Sequence, residues 1–190
     1  MKEQQNINLN VFSIEATVIR LRKLIRLNFV QDFSNTPSPI YLSILTEILI
    51  KLNFLLFKSS TEYGKRIDFR DDVDYIHLKP KGKYENDITG LIHFYRDAIC
   101  HPDAISKPET TDKKQYVYFY FQTGSAPFKR DGIKHLCKYQ DDIAVIVGDN
   151  LLYIKRHVAR AYDEVSQYLI NHSRFSALKI FIKTLTDNGD

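Results

Sequence analysis

Over residues 10–30, apolar side chains fall at Val11, Ile14, Val18, Leu21 and Ile25, and Asn28 continues the same step of three or four residues. That period predicts an amphipathic helix, with Arg20, Arg22, Lys23 and Arg26 spread around its other faces. The run Ser34-Asn35-Thr36-Pro37-Ser38-Pro39 interrupts it and supplies capping residues for a following helix. Residues 40–57 are apolar almost all round, long enough to invite comparison with a membrane span. Ser43, Thr46, Glu47, Lys51 and Asn53 fall in the middle of that stretch. Each central charge would cost about 2.5–3.5 kcal/mol to insert into a bilayer. Glu47 and Lys51 also stand four apart in the order that favours a helical ion pair. A central bundle helix is therefore expected, with no membrane association.

Residues 58–87 are charged and irregular, with a short element expected around 73–78. The acidic run Asp68-Phe69-Arg70-Asp71-Asp72-Val73-Asp74 reads as a solvated face. A third helix is predicted from Asp87 to His101, with the stripe Ile88, Leu91, Ile92, Tyr95, Ala98 and Ile99, and Pro102 to end it. Aromatic and β-branched residues at 115–123, and Ile143-Ala144-Val145-Ile146-Val147 within 142–148, predict two strands of an antiparallel ribbon. Asn150 is expected to cap a fourth helix whose stripe is Leu151, Ile154, Val158, Ala161, Tyr162, Val165 and Leu169. An amphipathic piece at 175–185 closes the chain. The fold class is thus mainly α: a bundle of four or five helices with a small β-hairpin insertion at about 115–148, in a single domain over 1–190.

Composition narrows the class without naming a task. At 190 residues, with 44% hydrophobic and 26% charged, the chain has the size and make-up of one globular domain. Cys100 and Cys137 are too few for a disulfide framework, and the polar start of the chain lacks a signal-peptide stretch, so a cytoplasmic location is expected. A charge of +4 permits a polyanionic partner without demanding one. The sequence has no Gly-rich phosphate loop, His-Glu-x-x-His, Cys-x-x-Cys or Gly-x-Ser-x-Gly. Nucleoside triphosphate hydrolysis, zinc proteolysis and serine hydrolysis lose ground accordingly.

The third helix carries the chemistry. At 100° per residue Arg96 lies about 80° from the centre of the core stripe, and His93, Asp97 and Cys100 fall further round, on the face turned from the core. His101 stands where Pro102 breaks the helix, so its side chain can be redirected toward an anion that Arg96 also reaches. An Arg96 paired with Asp97 or another carboxylate, and a His101 favoured simply by the helix dipole, would account for the same residues structurally.

Arg96-Asp97-Ala98-Ile99-Cys100-His101 resembles the signature of the HEPN superfamily (higher eukaryotes and prokaryotes nucleotide-binding domain): an Arg, a polar residue after it, and a His beyond four to six intervening positions. The resemblance implies a HEPN-like helical bundle and a homodimer in which two motifs form one composite site in a basic cleft. It further implies a metal-independent endoribonuclease of a toxin–antitoxin or anti-phage defence setting, without cofactor, restrained by a cognate antitoxin or regulatory partner. His101 would then be the general base or acid, Arg96 would bind the scissile phosphate, and Asp97 would orient its neighbours. Some members carry a Tyr two residues after the His as a site of nucleotide attachment; Asp103 stands there instead. Other members are RNA-binding or scaffold modules without nuclease activity, which is the alternative function.

Cleavage of RNA through its own 2′-OH needs a proton acceptor working near pH 7 and a fixed cation, which histidine and arginine supply. His93 either joins the site as a second imidazole that contacts RNA or is an ordinary surface residue. Lys155, Arg156 and Arg160, with His157 among them, either contact the RNA backbone or form a solvated face. Tyr116, Tyr118 and Tyr120 share one strand face and either stack bases or pack.

Overall fold

The computed structural model describes residues 2–26, 39–73, 84–101, 120–123, 127–130, 133–136, 138–147, 150–172 and 175. Helix α1 (Lys2–Arg26) buries Ile14, Val18 and Leu21, residues of the predicted stripe. Helix α2 (Pro39–Tyr63) runs past the expected end at residue 57. Lys58 pairs with Glu62 one turn on, and the stop comes at Gly64, whose φ of +71° glycine adopts freely. The turn is locked by Lys65 N–H donating to the Ser59 carbonyl at 2.9 Å and by the Ser59 hydroxyl donating to the Lys65 carbonyl at 2.7 Å.

By length and composition α2 could also cross a membrane. In the fold, Leu45, Ile48, Leu49, Leu52, Leu55 and Leu56 are buried while Ile40, Leu42, Ile50 and Phe57 are exposed. Glu47 reaches Arg20 of α1 at 2.5 Å and Lys51 only at 4.0 Å, so its main partner joins two helices rather than two turns of one.

Helix α3 (Ile88–Cys100) starts and stops where the sequence predicts. Asp87 caps it, accepting the Gly90 N–H at 2.7 Å and holding the Arg66 guanidinium through Nε at 2.8 Å and Nη2 at 2.9 Å. The segment before the helix lies so close that a Cβ on Gly90 would stand 1.9 Å from the Glu85 carbonyl oxygen.

Among the described residues five strands follow: β1 (Tyr120–Thr123), β2 (Pro127–Arg130), β3 (Ile133–Leu136), β4 (Ile143–Val147) and β5 (Asn150–Tyr153). The expected ribbon exists as β1 against β4, antiparallel, with Tyr120 opposite Ile146. Residues 115–119 lie outside the described residues. The β region is richer than one hairpin: β1, β4 and β5 form one sheet in the order β1-β4-β5, and β2 pairs with β3 separately.

Asn150 does not cap a helix; it opens β5, paired with Val147. The reason is burial on two sides. Val145, Val147 and Leu152 enter the main core, whereas Ala144, Ile146, Leu151 and Tyr153 form a second cluster with Tyr139. A strand sends Leu151 and Leu152 to opposite faces, which a helix cannot do for neighbours. The helix proper begins after a π turn (Ile154–Ala159), where the Arg160 N–H reaches back to Lys155, and continues as α4 (Arg160–Asn171). Ala161, Tyr162, Val165 and Leu169 of the predicted stripe are buried. Among the described residues the chain is mainly helical, as expected. Of the segments at 73–78 and 175–185, only Val73 and Phe175 lie within them.

Tyrosine hydroxyls tie the elements together. The Tyr95 hydroxyl of α3 shares its proton between the carbonyls of Val145 (2.7 Å) and Asn150 (2.8 Å), and burial pushes its ionisation well above the ordinary phenol range. Tyr162 donates to the Val18 carbonyl at 3.1 Å and is pushed by burial up to about 12. Tyr168 donates to the Tyr63 carbonyl at 2.7 Å.

Candidate functional site

The outer edge of α3 is organised by one carboxylate. Asp97 lies 2.8 Å through Oδ1 from Arg96 Nη1. Its Oδ2 accepts the Tyr84 hydroxyl at 2.7 Å and stands 3.6 Å from His93 Nε2. The Tyr84 ring meets the His93 ring edge-on, centroids 5.2 Å apart. Asp97 was expected on the face turned from the core, yet it is only 4% exposed. Tyr84, arriving from the segment before the helix, covers it. The side chains of Arg96 and His93 remain 29% and 38% exposed, so a sunken carboxylate holds two groups at the surface.

His101 is the C-cap, exposed, with φ −139° and ψ 61°, so the chain leaves the helical path at this residue as the proline predicts. Its N–H closes the last turn on the Asp97 carbonyl at 2.7 Å. Asp97 thus serves the site twice, by side chain and by main chain. About 7 Å of helix axis separates Arg96 from His101, a gap two long side chains can close on one anion. Cys100 is a free, exposed thiol beside them.

The expected basic cluster on the fourth helix has a different surrounding. Arg156 pairs with Asp141 at 2.9 Å and Asp142 at 3.2 Å, and its guanidinium lies 3.6 Å from the Tyr139 ring centroid. Arg160 pairs with Asp71 at 2.7 Å and Glu164 at 2.9 Å, and lies over Phe69 at 3.8 Å. Lys155 donates through Nζ to the Asp141 carbonyl. His157 is fully buried: Nδ1 accepts the Tyr153 N–H at 3.1 Å, so the ring proton is on Nε2, 3.3 Å from the Asp71 carbonyl. Hydrogen bonds from Arg156 and from Tyr139 respectively hold the Asp141 and Asp72 carboxyls below their ordinary range. Within the acidic run Asp71 pairs with Arg160 and Asp72 with Lys138 and Tyr139, while Asp68, Arg70 and Asp71 stay exposed, as a solvated face does. Of the tyrosine row, Tyr116 and Tyr118 lie outside the described residues and Tyr120 opens β1.

Two residues escaped the sequence reading. Tyr84 precedes Asp97 by thirteen positions in a stretch with no period to place it. Asp142 is buried at the entrance to the π turn and accepts the N–H groups of Ile143 (2.7 Å), Lys155 (2.9 Å) and Arg156 (3.1 Å). It does the capping work assigned to Asn150, from thirteen residues upstream of Lys155. Among the described residues no group of three or more His, Cys, Asp or Glu converges as it would on a metal ion.

Comparison with known proteins returns no match: no family model, no curated protein and no solved structure matches the chain. The site is read from its own geometry and chemistry.

Proposed function

We propose that the chain is a HEPN-like, metal-independent endoribonuclease that cleaves RNA through the substrate's own 2′-OH, acting as a cytoplasmic homodimer in a toxin–antitoxin or defence setting. The observation that carries the reading is Arg96 tethered to the buried Asp97, one helical turn and a break away from the exposed His101. An arginine fixed in this way presents its remaining N–H groups to a phosphate without having to be ordered first. His101 takes the proton of the attacking 2′-OH, and Arg96 stabilises the extra charge on the phosphorane. The products are a 2′,3′-cyclic phosphate and a 5′-hydroxyl.

End-labelled RNA incubated with the protein in excess EDTA tests this. Cleavage with cyclic phosphate ends is expected. DNA of the same sequence should stay intact. His101→Ala should lower the rate by about 10²–10⁴-fold, with the melting temperature unchanged, since the side chain is exposed and the capping N–H survives. RNA retarded on a native gel but uncut would replace the nuclease by a binding or scaffold module. Neither cleavage nor retardation would end both readings.

A further inference from the structure

We propose that His93 is the second proton-transfer residue of this site, giving its proton to the departing 5′-oxygen while Arg96 holds the phosphate between it and His101. The inference rests on the nuclease reading and extends it to a residue outside the Arg-x-x-x-x-His motif.

Three observations lead there. First, His93 lies three residues before Arg96 and four before Asp97, positions that share one helix edge. Second, one carboxylate serves both groups: Asp97 holds Arg96 at 2.8 Å through Oδ1 and stands 3.6 Å from His93 Nε2 through Oδ2. At 3.6 Å the carboxylate stands beside Nε2 without closing a short hydrogen bond to it. Third, the imidazole is oriented: the Tyr84 ring packs against it at 80°, and the Tyr84 hydroxyl pins the same Asp97 oxygen at 2.7 Å. Among the described residues, the groups seen against His93 are Asp97 from its own helix and Tyr84 from the preceding segment.

The chemistry balances. The 2′-oxygen loses its proton to His101 and bonds to phosphorus. The bond from phosphorus to the 5′-oxygen breaks, and that oxygen takes the proton of the His93 imidazolium. One imidazole ends protonated and the other neutral, and exchange with water resets both. In-line displacement needs base and acid on opposite sides of phosphorus. His93 and His101 flank Arg96 along the helix in that sense. Tyr84 and Asp97 are positioning residues.

The first test is the pH profile of RNA cleavage. The wild type should give a bell, and His93→Gln should lose its alkaline limb with a rate about 10²-fold lower or more at saturating RNA. Tyr84→Phe, which keeps the ring packing, should move that limb without abolishing activity. Asp97→Asn should move it to lower pH. A His93→Gln enzyme with wild-type rate and profile overturns the inference and leaves the nuclease reading standing.

The second test needs no activity. In nitrogen-15 spectra of the histidine side chains, inorganic phosphate should raise the titration midpoint of His93 among the six histidines, and Arg96→Ala should remove that response. Phosphate that moves His101 alone, or no histidine, overturns the shared phosphate site. Phosphate bound at His93 in a protein that cuts no RNA retains the site and removes the nuclease.

Discussion

At the scale of single residues, the ionic contacts divide into those that build and those that are available to a ligand. Asp72 belongs to the first kind: the Tyr139 hydroxyl is the main cause of its lowered carboxyl, with Lys138 at 3.5 Å adding to it. A carboxyl lowered in the fold stabilises it above the unfolded value of 3.8, and the contribution is lost as pH falls through the lower folded value. Tyr139→Phe keeps the ring contacts with Arg156 and Tyr153 and removes the hydroxyl. It should cost about 1 kcal/mol at neutral pH, and the difference from wild type should narrow below pH 4 in denaturant titrations run at several pH values. The places of Arg96 on the outer edge of α3 and of His101 at its end were legible at this scale, because the helical period fixes the one and Pro102 the other. The burial of Asp97 was not, because periodicity reports which side of a helix meets the core and says nothing of a tyrosine laid over the other side.

For whole elements, the instructive case is the entry to α4. The stripe from Ile154 to Leu169 was readable as a helix, and its buried residues follow it. By period alone Asn150-Leu151-Leu152-Tyr153 reads as part of that helix, because Leu151 fits its step. The contrary signal was present: Gly148-Asp149 separates two short apolar runs, the mark of a hairpin connection. With the strand taken out, the helix loses its local cap, and Asp142 provides one from the far end of the hairpin. Asp142→Ala strips a buried acceptor from three main-chain N–H groups and from Arg156. A loss of about 2–4 kcal/mol is expected, measured by urea unfolding, with amide exchange rising first in the π turn. A loss under 1 kcal/mol would mean that the turn holds itself.

Across the whole molecule, α3 is the shared member. Its inner side meets the main core, Tyr95 reaches the carbonyls of the β4–β5 hairpin, and its outer edge carries the candidate chemistry. The mainly helical class was legible because long stripes of period three to four dominate the chain. Of the sheet, the pairing of β1 with β4 was legible, whereas the third strand β5 and the separate β2–β3 pair were not read from the pattern. The bundle is tied across its elements by contacts that sequence cannot pair in advance, such as Arg66 with Asp87 and Tyr162 with Val18.

The crossing at Gly90 has a consequence for how this protein would look to a geneticist. The main chain at Glu85 occupies the space of any side chain at position 90, so Gly90→Ala must push aside the strand of backbone that carries Tyr84. Tyr84 leaving would uncover Asp97, the carboxylate that holds Arg96, and take the ring contact from His93. In a saturation screen scored on the RNA cleavage proposed above, position 90 should therefore group with Arg96 and His101 as intolerant of every substitution, although it bears no functional group. A Gly90→Ala protein as active as wild type would show that the backbone yields more easily than its packing implies. Otherwise, a map of intolerance would outline the support of the site as sharply as the site, and glycine would be its most informative mark.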